Sequence, residues 1–269
     1  MNSRMVRIVA APLVAGLVAA CSSDSAGHVS LALSSIRPPT AVASAPLSGI
    51  VLSPTVIAAG DSTVIALGSD TIIVRSAELV VRKVELKRVE AEGCDDVVGN
   101  GDCDEFETGA VLATLPLGTT ATETVVSVNA PPGMYDALEF TIHKPEAPED
   151  ADFLAANPTF AGVSIRVKGT YSQGGTRSDF TFESDLNEDQ EIALSPPLTV
   201  TDGQPANVTL RIDIASWFLN GAGTALVNPA TANKGQTNEN LVRDNIEASI
   251  DAFRDDDHNG HDDDGEDHS

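Results

Sequence analysis

Aromatic residues are scarce in this chain: they make up 4% of its 269 residues, and Trp217 is the single tryptophan. Hydrophobic residues still account for 42%, so a core can form, with Val, Ile, Leu and Ala filling most of it. Basic residues are also few, because 16 Lys and Arg face 40 Asp and Glu, a net charge of -24. This balance argues against binding nucleic acid or docking electrostatically on anionic lipid, and it favours binding of counter-cations.

Sequence patterns that mark common catalytic sites are missing as well. The chain has no G-x-S-x-G, no H-E-x-x-H and no Gly-rich phosphate loop. Outside the signal and the tail, the histidines are His28 and His143; the second ends a predicted strand and is expected at the surface. Trp217 is expected to anchor the core rather than form an exposed binding edge. The sequence therefore predicts a protein that is not an enzyme.

The amino terminus has no apolar run long enough to span a bilayer comfortably. Ile8 to Ala20 is an apolar stretch of 13 residues, preceded by Arg4 and Arg7 and ending in small residues. A positive segment followed by a short apolar one is typical of a secretory signal peptide. Residues 1–20 are therefore predicted to be a signal that does not belong to the fold.

The end of that signal, Leu17 to Cys21, resembles the lipobox of bacterial lipoproteins. The resemblance implies acylation of Cys21 and cleavage just before it, and acyl chains on one residue give stable membrane anchoring. Ser22, which is not Asp, predicts the outer membrane under the usual sorting rule. The sequence thus predicts a lipid-anchored protein of the bacterial cell envelope, whose contact with the membrane is its N-terminal lipid.

Composition and periodicity divide the rest of the chain into four parts. Residues 21–48 are rich in Ser, Ala and Pro and are expected to form a tether, although alternation at Val29 to Leu33 is compatible with a first strand. Residues 49–237 show short alternating runs separated by Gly, Pro and Asn, which favours a mainly β fold, an antiparallel β-sandwich. Residues 238–253 are predicted to form an amphipathic helix with Val242, Ile246, Ile250 and Phe253 on one face. Residues 254–269 are predicted to form a disordered acidic tail.

Several stretches of this body resemble an uncharacterised family of bacterial envelope lipoproteins with a domain of unknown function. They are VELKRVE at 84–90, LPLG at 115–118, PPGMYDALEFTIHKP at 131–145, FAGVSIRVKGTY at 160–171 and FTFESDLNEDQEIALSPP at 180–197. The resemblance covers residues 70 to 229 and implies a transthyretin-like or carboxypeptidase-regulatory-like β-sandwich. It implies no activity and no functional residues.

Two cysteines remain once Cys21 carries lipid. Cys94 and Cys103 frame the segment CDDVVGNGDC, whose glycines allow the chain to turn back on itself. An exported protein meets an oxidising compartment, so we expect a Cys94–Cys103 disulfide rather than two free thiols or a metal site.

The acidic tail contains a pattern typical of calcium-binding loops. The motif D-x-[DN]-x-[DN]-G-x₅-E fits from Asp255, with Gly260 at the turn. The candidate metal ligands are Asp255, Asp257, Asn259, His261, Asp263 and Glu266. Asp262 stands where an EF-hand has an apolar residue, and no exit helix can follow. Two interpretations remain open: an ordered calcium site, or a disordered tail that collects divalent cations weakly.

Two functions from different classes fit these observations. The first is a non-enzymatic binding or structural module of the envelope, for which the sequence identifies no protein or glycan partner. The second is a calcium-dependent adhesion or cation-buffering lipoprotein that uses its acidic tail.

Overall fold

The computed structural model describes residues 27–35, 54–89, 108–118, 122–257, 259–260 and 262–263. This part of the chain is mainly β. Its strands are β1 Gly27–Ser34, β2 Thr55–Ala58, β3 Thr63–Leu67, β4 Asp70–Arg88, β5 Val111–Thr114, β6 Glu123–Ala130, β7 Gly133–Ile142, β8 Ile165–Gln173, β9 Thr176–Ser184, β10 Glu188–Val200, β11 Pro205–Ile212 and β12 Ile250–Arg254. Its α-helices are α1 Ala151–Ala156, α2 Ile214–Trp217 and α3 Glu239–Glu247.

The strands form two sheets. The smaller sheet has the order β12-β11-β1-β6, and the larger one runs β10-β7-β4-β3-β2, with β5 and β8 also paired to β4 and β9 paired to β8. The sequence predicts antiparallel pairing, but β1 and β11 are parallel. The smaller sheet is therefore mixed. No hairpin joins these two strands, because β11 enters from β10 of the other sheet, so no short turn dictates its direction.

The long strand β4 runs through the middle of the larger sheet. The sequence predicts either a bend or two strands here, and the structure has one strand of 19 residues. Its register shifts between Arg82 and Glu85 against β7, where Lys83 adopts φ 57°. A bulge of this kind lets a long strand twist without breaking, while Val84 and Leu86 stay buried.

Apolar side chains from both sheets fill the core between them. Trp217 is fully buried, as predicted, and its indole N–H donates to Ser249 Oγ at 2.8 Å. Phe182 and Phe218 meet edge to face with ring centroids 5.4 Å apart. The few aromatic side chains named here therefore lie in the core, where each buries a large apolar area.

Strand β1 lies inside the segment that the sequence assigns to a tether. Residues 27–34 pair with β11 on one side and β6 on the other, so they form an inner strand of the smaller sheet. Val29, Leu31 and Leu33 are buried in the core. The alternation at Val29 to Leu33 therefore indicates a strand correctly. The prediction that residues 21–48 form a tether is wrong for residues 27–34.

The predicted helix over 238–253 is shorter than expected. Helix α3 ends at Glu247, and the chain then continues as β12, which pairs antiparallel with β11. Val242 and Ile246 face the core as predicted, but Ile250 and Phe253 belong to the strand. The amide of Ser249 and its hydroxyl both bond to the carbonyl of Ile246, which closes the last turn and redirects the chain.

Candidate metal centre

The C-terminal loop begins where β12 ends, beside β11. The amide of Asp255 donates to the carbonyl of Asn207 at 3.2 Å, and Asn207 Nδ2 donates to the carbonyl of Asp256 at 3.2 Å. The predicted disordered tail therefore does not begin at residue 254: residues 255–257, 259–260 and 262–263 form a loop held against the smaller sheet. The remaining tail residues lie outside the described part of the chain.

Asp255 anchors this loop through its carboxylate, and its side chain is fully buried. Oδ2 accepts from Thr209 Oγ1 at 2.6 Å and from the amide of Gly260 at 3.0 Å, and Oδ1 accepts from the amide of Asn259 at 2.9 Å. A carboxylate offers about four lone-pair positions. These three donors therefore leave room for Asp255 to bind one cation through a single oxygen.

The turn of the loop is built by Asp257, Asn259 and Gly260. Asp257 Oδ1 accepts from the amide of Asn259 at 3.1 Å, and its Oδ2 accepts from Asn259 Nδ2 at 2.9 Å. Gly260 has φ +79°, a conformation that residues with a Cβ rarely adopt. Glycine at the sixth position of the motif is therefore needed for the amides to point back at Asp255.

Asp263 closes the loop on the other side. Its amide donates to the carbonyl of Arg254 at 3.2 Å, and its Oδ2 accepts from the amide of Asp256 at 2.5 Å. The neighbouring carboxylate of Asp256 is turned away to an ion pair with Arg254. The loop thus separates adjacent acidic residues into two groups, one facing inward and one paired at the surface.

Three of the predicted ligands come together in this arrangement. Asp255, Asp257 and Asp263 each place a carboxylate oxygen within 4.8 Å of the others. Two oxygens on one calcium ion, each at 2.3–2.6 Å, lie at most about 5 Å apart, so the spacing suits a shared ion. Asn259 lies beside Asp257, whereas His261 and Glu266 fall outside the described residues.

The surroundings of the loop differ from those of an EF-hand. The sequence predicts that a helix leads directly into the loop, but the element before Asp255 is the strand β12. A strand keeps the first ligand in register with β11, and this is how Thr209 reaches Asp255. The supporting role of Thr209 was missed because strict alternation places it on the outer face, where the loop itself buries it.

The predicted surface position of His143 is wrong. The side chain is buried, and its Nε2 lies 2.8 Å from Asp150 Oδ2. The same oxygen accepts from the amide of Glu146 at 2.8 Å, and Arg82 lies 4.0 Å from the other oxygen. Burial alone would raise the pKa of Asp150, but these hydrogen bonds and charges outweigh it and lower that pKa. The pair fixes the connection between β7 and α1.

Cys21, Cys94 and Cys103 lie outside the described residues, so the lipidation site and the disulfide stay predictions. Within the part of the chain that is described, no helix has the length and apolar character to cross a bilayer.

No protein-family model, curated protein or solved structure matches this chain. The resemblance to envelope lipoproteins of unknown function therefore remains a prediction from the sequence.

Proposed function

We propose that the protein is a lipid-anchored, non-enzymatic binding or structural module of the bacterial cell envelope, located in the outer membrane. The observation that carries this proposal is the lipobox-like Leu17 to Cys21 after a short apolar signal. The buried His143–Asp150 pair has a structural role that needs no catalysis, because its hydrogen bonds join β7 to the connection that contains α1.

Replacing the acylated residue tests this proposal. In Cys21→Ser, the sulfur that would carry the diacylglyceryl group is lost, so the protein should appear unprocessed or leave the membrane fraction. Ser22→Ala is the matched control, because it changes the neighbouring side chain and keeps the thiol. Cell fractionation and mass measurement of the mature amino terminus give the readout. A Cys21→Ser protein that is still cleaved normally and stays in membranes would overturn the proposal.

The second candidate function is binding of calcium by the C-terminal loop, and it is favoured by the convergence of Asp255, Asp257 and Asp263. The same three residues stand at the first, third and ninth positions of the sequence motif. A bound cation would neutralise carboxylates that otherwise repel one another, and it would fasten the end of the chain to β11. Calcium would then act as a structural clamp within the envelope module.

Calorimetric titration with CaCl₂ distinguishes a geometric site from a diffuse acidic tail. Asp257→Asn should weaken binding far more than Asp256→Asn, because the two changes remove the same charge but only Asp257 faces the cluster. Glu266→Gln and its neighbour Asp267→Asn form a second matched pair, in which the twelfth position of the motif predicts the larger loss for Glu266→Gln. Equal small losses within both pairs would mean that total charge, and not an ordered loop, attracts the cation.

A further inference from the structure

One end of the sandwich gathers the first residue of β1 and two exposed turns. Gly27 pairs with Ala130, the last residue of β6, and a Cβ on Gly27 would lie 2.3 Å from Val200 Cγ1 and 3.0 Å from the carbonyl oxygen of Thr201. The β6–β7 turn and the β10–β11 turn therefore flank Gly27. We call this the Gly27 end, formed by Gly27, residues 130–134 and residues 200–205.

The end of β4 reaches the same place. Arg88 pairs with Tyr135, and the amide of Val89 donates to the carbonyl of Met134 at 3.0 Å. The described residues of the C-terminal loop also lie towards this end, since Asp255 bonds to Asn207 and Asn207 pairs with Ser30 of β1.

The opposite end carries the helices. Strand β1 finishes at Ser34, opposite Arg211 of β11, and α2 follows β11 almost at once. Helix α3 packs there too, because the amide of Asp213 bonds to the carbonyl of Ser249, two residues after α3 ends. The connection that contains α1 leaves β7 beyond Ile142, again away from Gly27.

The anchoring site lies close to Gly27 in the sequence. Six residue steps separate Cys21 from Gly27, and fully extended chain covers at most about 3.6 Å per step, or about 22 Å. Turning the helical end towards the bilayer would lift Gly27 by the length of β1, about 23 Å, and by the thickness of the helices beyond it. The six steps cannot bridge that height.

We infer that the Gly27 end of the sandwich faces the lipid bilayer, and that Met134 at the start of β7 contacts its surface. This inference rests on the proposed acylation of Cys21. Met134 is 51% exposed and Ile57 is 52% exposed, and these are the large exposed hydrophobic residues of the described chain. These two residues lie far apart. Ile57 pairs with Val64 of β3, and Val64 pairs with Ile73 of β4. Ile73 lies 15 positions before Arg88, the β4 residue that pairs with Tyr135 beside Met134. The helical end is thereby left free to meet partners.

Fluorescence quenching by lipid tests the orientation on the full-length processed lipoprotein. A small thiol-reactive fluorophore is attached to Met134→Cys, to the matched control Ile57→Cys, and to Ala155→Cys on α1. Each protein is reconstituted in phosphatidylcholine vesicles with brominated acyl chains, whose zwitterionic headgroups do not repel the acidic chain. The parent protein, labelled in the same way, gives the background from Cys94 and Cys103.

We expect the label at position 134 to be quenched several-fold more strongly than the labels at 57 and 155. Equal quenching at the three positions, or stronger quenching at 57 or 155, in protein that floats with the vesicles would refute the orientation and leave the lipid anchor intact. Protein that does not float with the vesicles at all would refute the anchor, and the orientation with it.

Discussion

A fully buried carboxylate such as Asp255 is stable only if its hydrogen bonds replace the water it has lost. Removing the hydrogen-bond partner of a buried charge destabilises the fold by more than an average hydrogen bond stabilises it. The reason is that the charge stays desolvated and has no partner. Thr209 and the amides of Asn259 and Gly260 provide the replacement. Asp255 therefore ties the order of the whole loop to one strand residue.

Thr209→Val tests this dependence, since valine keeps the shape of threonine but cannot donate a hydrogen bond. We expect a loss of about 1–3 kcal/mol in the free energy of unfolding, measured by urea denaturation monitored by circular dichroism. The exposed strand residue Thr181 supplies the matched control, and Thr181→Val should change stability by less than about 0.5 kcal/mol. A neutral Thr209→Val would show that Asp255 is not held by this hydroxyl.

Asp150 gives a pH-dependent prediction at the same scale. Its folded pKa lies below the ordinary value near 3.8, so the carboxylate adds stability above about pH 4, and this is lost as pH falls through the lowered pKa. Asp150→Asn should therefore be less stable than the parent by about 1–3 kcal/mol at pH 5, and the gap should close towards pH 2.

Urea unfolding at a series of pH values gives the measurement, with the exposed neighbour Asp152→Asn as the control. A gap between parent and Asp150→Asn that stays constant down to pH 2 would contradict the prediction, because it would place the effect in packing rather than in the ionised carboxylate.

Single residues also show where sequence reasoning reaches its limit. Trp217 was correctly placed in the core, because a lone large aromatic buries more area than any other side chain. His143 was misplaced because its partner lies seven residues on, across a turn that periodicity does not encode. Thr209 is a related case. Alternation correctly assigns it to the outer face of β11, but it does not show that a later segment of the chain covers this face.

At the scale of elements, residues 239–254 show how one apolar pattern can serve two structures. Val242, Ile246, Ile250 and Phe253 match a helical stripe, yet the chain changes from helix to strand after Glu247. Ser249, Ala252 and Phe253 are buried against the sheet, and pairing with β11 satisfies the backbone. Tertiary contacts therefore decide the second half of the segment, as they commonly do for short elements.

Ala252→Asp distinguishes the strand from a continued helix. Ala252 is 7% exposed in β12, so a carboxylate there should cost at least about 2 kcal/mol. In a helix extending to Phe253, position 252 would lie off the apolar stripe and tolerate the change. Ala248→Asp is the control: this position is exposed, and an acid near the end of α3 should cost only about 0.3–1 kcal/mol. Similar small losses in both variants would favour the longer helix.

The mainly β character of the body was predictable for a simpler reason. Alternation at residues such as Val208, Leu210 and Ile212 has a period of two, which only a strand can use to bury one face. The parallel pairing of β1 with β11 was not predictable, because their paired residues Val29 and Ala206 lie 177 positions apart in the sequence. A pattern within one strand carries no information on its neighbour. Long-range pairing is fixed by the packed core.

For the whole molecule, the excess of 40 acidic over 16 basic residues sets a background of self-repulsion. Many basic side chains form ion pairs at the surface. Lys87 lies between Glu191 and Glu139, with hydrogen bonds and opposite charges that raise its pKa. Such pairs leave most of the acidic excess unneutralised, so counter-cations in solution must contribute to stability.

This background can be separated from a specific calcium site by comparing two salts. NaCl should raise the melting temperature of residues 22–269, because it screens repulsion beyond about 8–10 Å. CaCl₂ at the same ionic strength should add a further, saturable rise, equivalent to about 2.7 kcal/mol when calcium stands at 100 times its Kd. Asp257→Asn should keep the NaCl response and lose the calcium excess, whereas Asp256→Asn should keep both. Thermal unfolding followed by circular dichroism measures the three proteins in both salts. A calcium excess that survives Asp257→Asn unchanged would assign the effect to the overall charge.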